Sequence, residues 1–111
     1  MNIIKPSSPV RLKPTNTSPL ETECLFGEIV EILDTSTEWC YCKLTTDKYL
    51  GWVKKKDLGY LPIATHRVVS LRSFLYSKMD IKSTCINYVP LSAQLHIKDI
   101  INDWGIVSLS E

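Results

Sequence analysis

Five residue pairs in this chain stand 65 positions apart: Phe26 and Leu91, Val30 and Leu95, Ile32 and Ile97, Trp39 and Trp104, Leu44 and Leu109. A fixed offset between like residues marks an internal repeat, which restricts the chain to stacked or tandem copies of one small unit. The first copy runs Leu25-Phe26-Gly27-Glu28, then Val30, Ile32 and Trp39, and ends in Gly51-Trp52-Val53. The second runs Leu91-Ser92, Leu95, Ile97 and Trp104. Carried forward by the same offset, Gly51-Trp52-Val53 falls on positions 116 to 118, past Glu111, so the second copy is expected to lack its last strand. Upstream, Arg11 aligns with Arg72 at an offset of 61, which expects four extra residues near the start of the second copy.

Each copy is very small. A unit of about 60 residues buries only about 60% of its unfolded surface and is marginal alone, so two are expected to lean on each other or on a third domain. Between them the apolar pattern has the period of strands. Glu28 to Leu33 alternates, with Val30 and Ile32 on one face; Trp39 to Leu44 alternates again; Tyr49 to Val53 makes another short strand. Asp34-Thr35-Ser36-Thr37 and Thr45-Thr46-Asp47-Lys48 read as the turns between them, and Pro14 to Pro19 as a loop. Residues 1–9, with Pro6 and Pro9, read as an irregular lead-in, and Gly59-Tyr60-Leu61-Pro62 as a linker. The second copy begins around Thr65 to Val69, holds its surplus in a polar excursion from Tyr76 to Thr84, and has strands at Gln94–Lys98 and Trp104–Leu109. Short strands at this spacing predict an all-β fold of small barrels.

Charge excludes little. The net charge is +1, which gives no global case for nucleic acid or an anionic membrane, and the run Lys54-Lys55-Lys56 reads as a solvated edge. No apolar stretch is long enough for a membrane span, and the Met1–Pro6 start lacks the apolar core of a secretory signal. With four cysteines in no disulfide-like framework, a cytosolic location is expected, the periplasm or cell envelope being the alternative.

Cys40 and Cys42 lie two apart on a strand and share a face with Leu44, which reads as core. Zinc spacings are absent, so no metal and no cofactor is expected. Cysteine catalysis needs a thiolate beside a histidine. Here the cysteines sit in or beside strand patterns, His66 lies at a junction and His96 on a solvated face with Gln94 and Lys98. No carboxylate pair and no phosphate-binding glycine loop stands out. The chain is expected not to be catalytic.

Val10-Arg11, Pro14, Leu25-Phe26-Gly27-Glu28, Val30, Ile32, Trp39 and Tyr49-Leu50-Gly51-Trp52-Val53 together resemble a bacterial SH3 domain. More narrowly, with Thr65 to Arg72 and Asp80 to Ser83, the chain resembles the N-terminal tandem of such domains in NlpC-type γ-D-glutamyl-L-diamino-acid endopeptidases, the dipeptidyl-peptidase VI group. The resemblance implies two SH3-like barrels in tandem, residues 1–61 and an incomplete 62–111. It implies a papain-like catalytic domain beyond them in a longer protein, and a substrate that is a murein peptide with a free N-terminal L-alanine. It also implies that the first domain helps to recognise that amine. By position the carry-overs are Glu28, as the paired carboxylate, and Tyr49, as acceptor and shape, with Trp52 as a pocket wall; Trp39 and Trp104 read as packing. Gly51, taken as a bulge, would reset the facing of Tyr49.

Three readings of function stand at this point. One is a non-catalytic targeting and substrate-specificity segment of a cell-wall cysteine peptidase. Another is a stand-alone module binding cell-wall peptides or a protein partner. The third is a structural role in which the open second barrel exchanges a strand to form a dimer.

Overall fold

A computed structural model describes residues 1–46, 48–70 and 72–109. Asp47 of the expected second turn, Leu71 of the second copy's opening stretch and the terminal Glu111 lie outside the described residues. The fold is all-β. Strands β1 (Asn2–Ile3), β2 (Ser7–Arg11), β3 (Leu20–Leu25), β4 (Val30–Thr35), β5 (Trp39–Leu44) and β6 (Leu50–Lys54) come first. A 3-10 turn, Lys55–Asp57, leads into β7 (Leu58–Gly59). Then follow β8 (His66–Arg67), β9 (Arg72–Tyr76), β10 (Cys85–Pro90), β11 (Gln94–Ile101) and β12 (Trp104–Ser108).

The first half forms a five-stranded antiparallel sheet in the order β3-β2-β6-β5-β4, and β1 pairs with β7 beside it. The alternation predicted for β5 is real: Cys40, Cys42 and Leu44 are buried together with Ile3, Val10, Cys24, Val30, Val53 and Leu58. Each large aliphatic side chain taken fully out of water contributes about 1.5–3 kcal/mol.

Three expectations for this half need correction. Residues 1–9 are not an irregular lead-in: Ile3 is fully buried, and Ser7 to Pro9 are paired with β3 despite the proline. A two-residue strand is too short to show a period, which is why it escaped notice. The strand after Glu28 begins only at Val30 and runs on through Asp34 and Thr35, because a bulge between Ile32 and Asp34 carries the ladder past the expected turn. Gly51 is not at a bulge; it stands opposite Cys42 in an unbroken register. It is glycine because a Cβ there would lie 2.4 Å from Val10 Cγ1.

The second half forms two smaller sheets, β10-β9 and β12-β11-β8. Where both halves have the strands, the registers match. Ile32↔Cys42 and Asp34↔Tyr41 become Ile97↔Val107 and Asp99↔Ile106, with the bulge in the same place. Ser7↔Leu25 and Arg11↔Leu20 become Arg72↔Pro90 and Tyr76↔Cys85. All are displaced by 65, and this corrects the offset of 61: Arg72 corresponds to Ser7, and Arg11 to Tyr76. No four-residue surplus exists. The loop closed by Leu12 N–H to Pro19 O (3.1 Å) has the same length as the one closed by Ser77 N–H to Thr84 O (2.9 Å).

The second half has its own apolar cluster of Val68, Val89, Ala93 and Leu95, and Phe26 of the first half is buried in it. Phe26 O accepts a hydrogen bond from Gln94 N–H (2.9 Å), and Leu61 N–H donates to Asn2 Oδ1 (3.0 Å). The halves lie end to end in a body of 45 × 24 × 24 Å, joined through the turn at Phe26-Gly27.

Candidate functional site

Sequence reasoning chose Glu28, Tyr49 and Trp52. Glu28 closes the turn between β3 and β4. Its N–H donates to Leu25 O (3.0 Å), and its carboxylate Oε1 accepts from Leu25 N–H (3.1 Å). Tyr49 precedes β6, about half-exposed, and its carbonyl accepts from Leu44 N–H (2.8 Å). Thr45, next to Leu44, donates from both its N–H and its hydroxyl to Ile29 O (3.2 and 2.9 Å). Glu28 and Tyr49 are therefore brought to the same end of the sheet, on either side of the end of β5.

Trp52 is placed elsewhere. Three residues further along β6, about 10 Å at strand rise, it lies on the outer face between its cross-strand neighbours Arg11 and Tyr41. Its ring tilts against Tyr41 with centroids 5.2 Å apart. That face follows from Gly51 and Val53 pointing inward. Trp52 thus forms an aromatic rib with Tyr41, and none of the three chosen residues lines the clefts described here.

The cleft with the most charged lining lies at the far end of β6. It holds about 380 Å³ between the loop at Asn16, the turn at Thr37-Glu38, Trp39 and Lys54 to Lys56. Trp39 stands opposite Lys54 in the ladder, and Lys54 Nζ lies 5.7 Å from the centre of its ring. Lys55 N–H ties the lysine run to Glu38 O (2.9 Å). Such a cleft offers an aromatic floor and cations, which suits a peptide bearing carboxylates. Trp39, read as packing, is indeed buried, yet it also lines this cleft. The signal was present in the sequence as a tryptophan opening one strand and a lysine run closing the next, but only the register places them together.

Three of the four thiols lie in the core. Cys24, Cys40 and Cys42 are buried and Cys85 is exposed. Burial, with the neighbouring Cys40 adding to it, pushes the Cys42 thiol up to about 12. Cys42 therefore stays protonated and serves as a small apolar filler, as its position beside Cys40 and Leu44 suggested. His66 Nδ1 pairs with its neighbour Thr65 Oγ1 (2.8 Å), and His96 Nδ1 with Ile63 O (2.7 Å). Among the described residues, no three of His, Cys, Asp and Glu gather as metal ligands would.

No curated protein matches this chain. Residues 10–58, which run from β2 through the five-stranded sheet into β7, match the family model described as the bacterial dipeptidyl-peptidase Sh3 domain. Over this stretch, which is less than half of the chain, the sequence is similar to a bacterial SH3 domain.

Proposed function

We propose that this chain is a non-catalytic, substrate-facing segment of an NlpC-type cell-wall endopeptidase, and that its SH3 domain recognises murein peptides through a free N-terminal L-alanine. The observation that carries this reading is the match of residues 10–58 to the dipeptidyl-peptidase SH3 family. Residues 62–111, whose registers repeat the first half, make up a second and open copy in this reading. The catalytic Cys/His domain belongs to a longer protein.

An ammonium group is held best by a carboxylate with neutral acceptors beside it, out of full contact with water. Glu28 and Tyr49 supply those groups at one end of the sheet, and Trp52 bounds the outer face further along β6. Glu28 is fixed by its own turn through Leu25 N–H, so its carboxylate is held in place before any ligand arrives.

A second reading, a stand-alone module for acid-bearing cell-wall peptides or a protein partner, is favoured by the Trp39–Lys54 cleft. The γ-linked glutamate of a murein peptide leaves its α-carboxylate unblocked, and the lysines suit it. Tyr49, just before β6, and Lys54, at the end of it, lie five residues apart, about 17 Å at strand rise, so the two sites are separable.

Titration of the chain with L-alanyl-γ-D-glutamyl-diaminopimelate, followed by amide NMR shifts, tests both. Shifts centred on Glu28, Tyr49 and Trp52 are expected. Shifts confined to Trp39 and Lys54–Lys56 would replace the first reading with the second. A flat response at several millimolar peptide would overturn both as properties of this chain.

A further inference from the structure

In the turn that carries Glu28, every main-chain N–H and C=O of Phe26, Gly27 and Glu28 is hydrogen-bonded. Phe26 N–H donates to Pro6 O (3.1 Å), Gly27 N–H to Ile3 O (2.9 Å) and Glu28 N–H to Leu25 O (3.0 Å). Phe26 O accepts from Gln94 N–H (2.9 Å), Gly27 O from Asn2 Nδ2 (3.3 Å) and Glu28 O from Ile3 N–H (3.0 Å). Two of these bonds lead to the second half. Gln94 opens β11, and Asn2 Oδ1 accepts from Leu61 N–H (3.0 Å), a residue packed against the second half's apolar cluster.

The second half is seated on this turn rather than beside it. Phe26 is only 6% exposed, held in the second half's cluster. A Cβ on Gly27 would collide with the Gln94 carbonyl, so the close approach of β11 requires the glycine as much as its φ of 89° does. The same turn recurs in the second half. Val68 N–H donates to Ala93 O (2.9 Å) as Ile3 N–H does to Glu28 O, and Ala93 N–H to Pro90 O (3.1 Å) as Glu28 N–H does to Leu25 O. There the side chains differ: Leu91, at the place of Phe26, is 47% exposed, and Ala93, at the place of Glu28, is fully buried. The carboxylate stands in one copy, and that is the copy whose turn is held by the other.

We infer that the second half is a brace that positions the Glu28 carboxylate, with Phe26, Asn2 and the main chain of Gln94 as its positioning groups. What Glu28 would hold rests on the amine-recognition reading; how Glu28 is held does not. The carboxylate reaches back to Leu25 N–H (3.1 Å), and it keeps that bond only while the turn between the two residues keeps its shape. A shape fixed beforehand spares a ligand the entropy of ordering the side chain. Asn2 acts on Gly27 O, directly ahead of Glu28, and through Leu61 N–H it couples that carbonyl to the linker. Phe26 and Gln94 act from the other side of the glycine. The second copy thereby contributes to recognition without a carboxylate at this place.

The test is the pH titration of the Leu25 amide NMR shift in the unliganded chain, which follows the carboxylate bonded to it, with Glu28→Gln as the blank. Two variants are compared with the native chain: Asn2→Ala, and Phe26→Leu, which installs the residue type found at Leu91. Both are expected to shrink the titration shift while amide protection at Val10, Cys42 and Val53 stays native. An undiminished shift in either variant would overturn the brace. So would a loss that comes only together with lost protection at those three core amides, since that is a general structural defect. Titration with L-alanyl-γ-D-glutamyl-diaminopimelate and with its N-acetylated form judges the amine reading separately. Asn2→Ala should weaken the free-amine peptide about three- to tenfold, the worth of one hydrogen bond. Equal binding of the two peptides by the native chain would overturn the amine reading and leave the brace to be decided by the Leu25 result. A preference for the free amine that neither variant reduces would overturn the brace.

Discussion

The hydroxyl of Ser8 donates a 2.7 Å hydrogen bond to Asp57 Oδ2, and both residues are buried. The bond joins β2 to the 3-10 turn that follows β6, across 49 positions of sequence. Main-chain pairing supports it, since Ile4 N–H donates to Asp57 O (2.9 Å). A buried carboxylate deprived of its donor retains its full desolvation cost, whereas an amide keeps an acceptor at lower cost. Ser8→Ala and Asp57→Ala should therefore each destabilise the chain by about 1–3 kcal/mol, and Asp57→Asn by less. Urea unfolding of the three variants, with the double variant to expose their coupling, checks this; equal losses for Asn and Ala would show that the bond contributes nothing specific.

Gly27 and Ser92 occupy the same place in the two halves, and both have positive φ, 89° and 71°. The N–H groups donate to carbonyls that are also 65 positions apart, Gly27 to Ile3 O in β1 (2.9 Å) and Ser92 to Val68 O just after β8 (2.8 Å). A side chain in this conformation costs roughly 1–2 kcal/mol, part of which glycine returns as unfolded-state entropy. Ser92→Gly should raise stability by up to about 1 kcal/mol. Gly27→Ala should lower it by more than about 2 kcal/mol, because its Cβ would also meet the Gln94 carbonyl oxygen at 2.1 Å. Thermal unfolding of the pair, with shifts of opposite sign, is the check.

Strand period, the inward face of β5 and the packing role of its cysteines were legible because side-chain alternation is local information. The repeat was legible too, but its upstream alignment was drawn to the identity of Arg11 and Arg72. The pairs that the fold makes equivalent, Ser8 with Ser73, Lys13 with Lys78 and Ser18 with Ser83, lie in a strand and loop of unremarkable composition. Identity of one long side chain outweighed a run of small polar ones, and only the ladder settles the register. The Ser8–Asp57 bond and the Trp39–Lys54 cleft were not legible, since each joins residues whose nearness depends on β6 lying between β2 and β5. Glu28 and Tyr49 were chosen by resemblance, and the fold brings them to one end of the sheet; Trp52 was assigned to the same pocket but lies along the strand from it.

Phe26 belongs to the first half by sequence and to the second by packing, with Val68, Val89, Ala93 and Leu95 around it. Truncating a buried phenylalanine typically costs about 3–5 kcal/mol. Phe26→Ala should do more than weaken one core. It should loosen the second half selectively, with amide protection falling at Val68, Val89 and Leu95 while Val10, Cys42 and Val53 keep theirs. Hydrogen exchange resolved by residue checks this, and uniform loss across both clusters would mean that the two halves unfold as one.

The Cys42 thiol gives the fold an alkaline limit. Its pKa is raised from 9.0 to about 12, first by burial and then by the neighbouring Cys40. The unfolded chain releases this proton near pH 9 and the folded chain holds it, so above pH 9 the unfolded state binds fewer protons. The contribution is fully present below pH 9 and is lost as pH rises towards 12, at a rate of about 1.4 kcal/mol per pH unit. Urea midpoints should therefore fall between pH 9 and 10.5 more steeply for the native chain than for Cys42→Val, which keeps an apolar side chain of similar size. The same burial protects the thiol from reagents: iodoacetamide at pH 8 should modify the exposed Cys85 within minutes and leave Cys42 intact until the chain unfolds. Parallel pH slopes in the two proteins would show that the protonated thiol is not what limits the fold in alkali.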